Sequence, residues 1–121
     1  MNVNDVYQVM KKNELWSFII SDMSGKIIAY CNGTFKFEDV PAAIRNMTVE
    51  EIDPCTSSLY VKISFIPEAS YLSEERCQMD GYEKLFNDSI YGPVYAKECQ
   101  RLNPHDGSAD FIGYTYAVIQ K

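Results

Sequence analysis

The sequence predicts an α+β fold: a single domain over residues 1–121, with an antiparallel sheet of five or six strands and three helices packed mainly on one face. Three observations predict this class. Residues 15–37 have the pattern of an aromatic β-meander, residues 59–66 and 111–119 alternate between apolar and polar side chains, and helix-like segments lie between these runs. No Gly-, Pro- or Ser-rich linker divides the chain and no repeat appears, so one domain is expected.

The first element expected is a short helix from Asn4 to Asn13. Asn4 can cap its N-terminus, and Lys11 and Lys12 suit its C-terminus, where the helix dipole is negative. Val6, Val9 and Met10 form an apolar stripe along one side of this helix, and we expect that side to pack on the sheet.

The meander is predicted from two turn signals. Asp22–Gly25 has the form of a type I turn closed by a left-handed glycine, and Asn32–Gly33 is a strong hairpin signal. If the first turn pairs Asp22 with Lys26 and the second pairs Cys31 with Thr34, the apolar side chains share one face, and a slip of one residue would scatter them. That face, expected to be the floor of the core, consists of Trp16, Phe18, Ile20, Ile28, Tyr30, Phe35 and Phe37.

The middle of the chain predicts a short helix and two strands. Residues 40–46 suit one or two helical turns, with Pro41 in the first turn, where proline costs least. A short strand is expected at Thr48–Asp53. A clearer strand is predicted at Leu59–Ile66, because apolar and polar residues alternate there. Pro67 is expected to end it.

The last third predicts two helices and a strand. Ser73 followed by two glutamates is a helix N-terminus, and an inward stripe of Met79, Tyr82, Leu85 and Phe86 would continue that helix. A second helix is expected from Gly92 to Leu102, so that helices cover the sheet over residues 73–102. Residues 103–107 are turn formers, and Phe111–Ile119 is the final strand.

Composition excludes several classes of function. The 121 residues include 17 acidic and 11 basic side chains, for a net charge of −6, and the basic ones are dispersed, which disfavours direct nucleic-acid binding. No apolar run is long enough to span a bilayer, and the N-terminus lacks the pattern of a signal peptide, so a cytoplasmic protein with reduced thiols is expected.

Catalytic and metal-binding signatures are weak. His105 is the only histidine, and Asp106 beside it in sequence does not suffice to make a dyad. No closely spaced cysteine pair suggests zinc, and no phosphate-binding loop or nucleophile elbow is present. No cofactor, metal or catalytic residue is therefore predicted.

Tyrosine is the remaining signal. Nine tyrosines occur, and tyrosine is enriched at binding interfaces because it offers a large rigid surface with a polar tip. The alternative is that these rings cover the edges of a small core. The residues predicted to bind a partner are Tyr60, Tyr71, Tyr114, Tyr116, Glu50 and Glu51.

The resulting hypothesis is a small acidic protein-binding module without catalytic activity. One specific form is an inhibitor from a phage or mobile element, of the anti-CRISPR kind, that blocks a basic nucleic-acid-binding surface of its partner; this form rests on analogy. Two alternatives stay open. One is a small hydrolase-type enzyme using His105 with Asp106 or Asp110. The other is a self-associating module, a homodimer in which the last strand pairs with a copy of itself.

Overall fold

The computed structural model describes residues 1–11, 17–32 and 35–120. In this part of the chain, eight strands form two mixed four-stranded sheets, accompanied by three α-helices and a short 3₁₀ helix. The helices are α1 (Val3–Met10), α2 (Ala42–Arg45) and α3 (Glu74–Met79), and the 3₁₀ helix is Phe37–Asp39. The strands are β1 (Ser17–Ser21), β2 (Ile27–Cys31), β3 (Thr48–Pro54), β4 (Ser58–Ser64), β5 (Pro67–Tyr71), β6 (Glu83–Asp88), β7 (Gly92–Leu102) and β8 (Ala109–Ile119).

The α+β class is confirmed, but the single antiparallel sheet of five or six strands is wrong. The first sheet has the strand order β2-β1-β4-β3 and the second has the order β5-β8-β7-β6. Each contains one parallel pair, β1 with β4 and β5 with β8. The two strands of a parallel pair are joined by a long crossover connection. Local sequence patterns do not indicate which distant strands pair, so these pairings were not predicted.

The turn between β1 and β2 is confirmed. The Asp22 amide donates to the Lys26 carbonyl at 2.9 Å, and Gly25 has the expected positive φ of 93°. However, a bulge between Ile20 and Ser21 shifts the register by one residue, so that Cys31 lies opposite Phe18. Tyr30 was predicted on the core face, and this shift turns it to the other side of the sheet.

The third strand of the predicted meander does not form among the described residues. The Asn32 amide donates to the Phe35 carbonyl at 2.9 Å, which closes a turn, and the chain then enters the 3₁₀ helix. Phe37 thereby packs into the core, stacked on Tyr7 with ring centroids 3.8 Å apart. The remaining residues on which these predictions fell, Lys12, Asn13, Trp16, Gly33 and Thr34, lie outside the described residues.

Helix α1 begins earlier than predicted, because Asn2 caps it in place of Asn4. The Asp5 amide donates to the Asn2 side chain at 2.8 Å, and the Asn2 amide donates to the Asp5 carboxylate at 3.1 Å. This reciprocal capping box satisfies two amides at once, which a cap at Asn4 does not offer. Val3 and Val6 are buried, whereas Val9 of the predicted stripe is exposed.

The helices predicted over residues 73–102 are largely wrong. The Ser73 cap is confirmed, since its hydroxyl accepts a bond from the Arg76 amide, but α3 ends just before Gly81, whose φ is +92°. The strands β6 and β7 follow. Pro67 also starts β5 where it was predicted to end a strand, because a missing N–H is tolerated at the start of an edge strand.

The two sheets share one apolar core. Buried side chains from α1, α2, β1 and β4 pack with Ala96 of β7 and Tyr116 of β8. A second, smaller cluster lies on the other face of the second sheet and consists of Cys77, Tyr82, Tyr95 and Ala117. Around Tyr95 and Ala96 of β7 and their partners on β8, the second sheet is therefore buried on both faces. No helix in the described part of the chain is long and apolar enough to cross a membrane.

Gly81→Ala is expected to lower the free energy of unfolding by about 1 to 2 kcal/mol. The positive φ strains any residue with a Cβ, and a Cβ here would lie 3.3 Å from Cδ of Lys97. Urea denaturation measures the change. Gly107→Ala is the matched control, because Gly107 also has a positive φ but nothing within 4 Å of an added Cβ. Equal losses in both variants would contradict a role for the Lys97 contact.

Candidate protein-binding face

The first sheet has an outer face, directed away from the core, whose side chains form two rows across the strands. One row runs from Tyr30 over Ile19 and Tyr60 to Asp53. The strand register sets these neighbours, since residues opposite each other in a sheet point to the same side. The second row, one step further along the strands, consists of Ile27, Ser21, Lys62 and Glu51.

The outer face is closely packed, although α1 and α2 place their buried side chains in the shared core on the opposite side of this sheet. Ile19 is only 1% exposed and belongs to neither core cluster. Its cross-strand neighbours are two tyrosines that remain exposed, Tyr30 at 45% and Tyr60 at 37%. The two rings thus flank an apolar centre and still present surface to solvent. Such large rigid side chains are suited to contact with a partner.

The polar groups of the outer face are mostly carboxylates. Lys62 pairs with Glu51 at 3.0 Å, and the neighbouring Glu50 accepts a hydrogen bond from Ser64 at 2.7 Å. Within the described residues, the carboxylate of Asp53 and the hydroxyl of Tyr60 have no hydrogen-bond or ion-pair partner. Counting the described residues of this face, three carboxylates and one ammonium group are present, and these residues leave part of the hydrogen-bonding capacity of the carboxylates unused.

A shallow depression lies between the two rows. It has a volume of about 160 Å³ and is lined by Ser21, Gly25, Glu51, Asp53, Tyr60 and Lys62. This is small for a metabolite site but large enough to receive the end of one long side chain. An inserted cation would lie between two carboxylates there.

The six predicted binding residues do not lie on one surface. Tyr60, Glu50 and Glu51 belong to the outer face. Tyr114 is half-buried beside a separate cleft of about 730 Å³ between α2 and β7. Tyr71 donates to the Asp80 carboxylate at 2.6 Å, and this hydrogen bond is the main reason that its pKa is raised to about 12.

Tyr116 is buried in the shared core. Its hydroxyl donates to the Ala43 carbonyl at 2.7 Å and its ring packs against Phe65. It is therefore no part of the exposed surface. Other members of the outer face, among them Ile27, Tyr30 and Asp53, were not predicted as binding residues. Tyr30 was missed because the bulge that turns it outward leaves no sign in the alternating pattern.

In the described part of the chain, no carboxylate is hydrogen-bonded or ion-paired to the side chain of His105. The residue is exposed in the loop between β7 and β8, and its backbone amide donates to the Asn103 side chain at 2.9 Å. The Asp106 carboxylate accepts bonds from Ser108 instead, which lowers its pKa. Asp110 lies on β8 opposite Arg101. No described hydrogen bond or ion pair joins the imidazole to either carboxylate.

The two buried cysteines, Cys31 and Cys77, also lack the surroundings of a nucleophile. Burial raises the pKa of Cys31 to about 11, and burial likewise raises the pKa of Cys77. Both thiols stay protonated at neutral pH, and a protonated thiol is a poor nucleophile. Among the described residues, no group of three or more His, Cys, Asp or Glu side chains could hold a metal ion.

Comparisons with known proteins add nothing to this geometry, because no family model, curated protein or solved structure matches the chain.

Proposed function

We propose that this chain is a non-catalytic binding protein whose outer face engages a basic surface of a protein partner. The observation that carries the proposal is the juxtaposition of exposed Tyr30 and Tyr60 with the Asp53 carboxylate, which no described residue pairs, on one sheet face. Tyrosine rings supply contact area at low entropic cost, and the carboxylates favour Arg and Lys on the partner.

Charge supports a basic occupant over a neutral or acidic one. Glu51 and Asp53 lie two residues apart on β3, so they point to the same side of the sheet, about 7 Å from each other. Two guanidinium or ammonium groups of a partner can therefore each contact one carboxylate. The whole chain carries a net charge of −6, which speeds encounter with a positive surface. An inhibitor that occupies the nucleic-acid-binding surface of its target is one form of this function, since these carboxylates would then contact side chains that otherwise hold phosphates.

The first test uses deca-arginine as a defined basic probe in an NMR titration of the full chain. We expect the largest amide shifts at Glu51, Asp53 and Tyr60, and we expect the affinity to fall at least roughly tenfold from low to high salt, because the contacts are charged and exposed. Shifts spread evenly over all acidic residues, or centred on another surface, would contradict the proposal.

Asp53→Asn combined with Tyr60→Ala is expected to weaken deca-arginine binding about tenfold, since it removes one carboxylate and one ring from the centre of the face. Isothermal titration calorimetry measures this loss. Glu75→Gln is the matched control, because it removes one exposed carboxylate from α3, away from the outer face. Asp53→Asn is also measured alone, so that each single variant removes one carboxylate. If Glu75→Gln weakens binding as much as Asp53→Asn does, net charge rather than the outer face governs binding.

A further inference from the structure

The two longest strands extend beyond the rest of the second sheet as an arm, defined as residues 97–115. β6 pairs with β7 only from Gly92 to Ala96, and β5 pairs with β8 only from Pro67, opposite Tyr116, to the end of both strands. Within the described residues, the arm strands pair only with each other. The arm therefore has two free backbone edges, and such edges are templates for another strand.

The two edges differ in how they are protected. The β7 edge carries Lys97, Glu98 and Arg101, and charged side chains are a common device against edge pairing. Lys97 also donates to the Asp80 carbonyl at 3.0 Å, which fills space beside that edge. The β8 edge, residues 109–115, contains only one charged residue, Asp110, and it lies opposite Arg101.

The arm also exposes apolar surface that the chain itself does not cover. Leu102, Phe111 and Ile112 are all exposed, and all three lie outside both core clusters. Lys97 and Arg101 offset Glu98 and Asp110 on the strands of the arm, and its loop adds Asp106, so the arm carries only −1 of the net charge of −6 of the whole chain. The arm is thus a place where two equally acidic copies can approach without strong repulsion.

We propose that the β8 edge pairs antiparallel with the β8 edge of a second copy to form a two-fold symmetric dimer. Antiparallel pairing of identical strands is self-complementary, so one interface satisfies both copies. The two copies use the same edge, centred on Ile112, and the charged β7 edges stay outside the interface, so the assembly closes as a dimer. This inference concerns a surface separate from the outer face and does not depend on the proposed function.

Sedimentation velocity from micromolar to sub-millimolar concentration tests the dimer. We expect Ile112→Lys to weaken dimerisation roughly tenfold or more, because it places like charges across the two-fold axis. Ile90→Lys is the matched control, since Ile90 is 68% exposed, Ile112 is 58% exposed, and Ile90 lies outside the arm. Added salt should strengthen the dimer by screening the two negative chains, the opposite of its effect on a basic partner.

Hydrogen exchange on the unaltered chain locates the interface without any variant. Amides in residues 109–115 should gain protection as concentration rises, while those in residues 97–102 should not. A monomer at every concentration, protection confined to β7, or equal weakening by Ile90→Lys and Ile112→Lys would each overturn the proposal.

Discussion

Replacing Asp22 with alanine is expected to lower the free energy of unfolding by about 3 kcal/mol. Asp22 is 1% exposed, and its carboxylate joins the two sheets. Oδ1 accepts from the Ser24 amide, the Ser24 hydroxyl and the Lys26 amide at 2.7 to 2.9 Å. Oδ2 accepts from the amide and hydroxyl of Ser89, which follows β6, at 3.1 and 2.6 Å. Alanine would remove all five of these hydrogen bonds, three within the turn and two to Ser89, and with them the link between the two sheets.

The same carboxylate predicts a dependence of stability on acid. Burial alone would raise the pKa of Asp22, but hydrogen bonds from Ser89, Ser24 and Lys26 outweigh it and hold the pKa below its usual range. The contribution to stability is therefore complete above the unfolded pKa of about 3.9 and is lost as pH falls through the lower folded pKa.

Urea denaturation across pH separates Asp22 from ordinary turn residues. The difference in unfolding free energy between the unaltered chain and Asp22→Asn should be largest near neutral pH and should shrink below about pH 4. Asp106→Asn is the control, because Asp106 makes similar bonds to Ser108 in an exposed loop, and it should change stability little. A difference for Asp22→Asn that widens in acid would contradict this account.

Local signals predicted those elements whose stability is itself local. The Asp22–Gly25 turn, the Ser73 cap and the alternation of β4 depend on a few adjacent residues, and all three are confirmed. β7 was mistaken for a helix because Val94, Tyr95 and Ala96 are all buried, Ala96 in the shared core and Tyr95 in the second cluster. A strand buried on both faces shows no alternation.

The candidate site was predictable only in part, because it also depends on strand pairing and packing between residues that are distant in sequence. Tyr60 was predicted because it lies on the polar side of a strand that is clear in the sequence, whereas the pairing that brings Glu51 of β3 onto the same face was not predicted. Tyr30 was missed because a single bulge decides its face, and either register gives a plausible apolar pattern. Which of the tyrosines lie inside depends on how the second sheet packs against α2 and the first sheet, which is a non-local property.

Tyr116 is the clearest case in which a predicted binding residue is a packing residue. Its ring lies 5.7 Å from that of Phe65, and its hydroxyl reaches across from β8 to the Ala43 carbonyl of α2. Truncating a buried ring of this size leaves a cavity between the sheets, and the carbonyl loses its buried donor. We therefore expect Tyr116→Ala to lower the free energy of unfolding by about 3 to 5 kcal/mol.

Tyr116→Phe isolates the hydroxyl, and it should cost only about 1 to 2 kcal/mol because the ring contacts remain. Burial raises the pKa of Tyr116 to about 12. The folded chain thus holds this proton more tightly than the unfolded chain, whose tyrosines titrate near 10, so stability is lost as pH rises above about 10. The phenylalanine variant should lose less stability there, as measured by urea denaturation at alkaline pH. Unchanged stability in Tyr116→Ala, together with weaker binding of deca-arginine, would instead assign Tyr116 to the partner-binding surface.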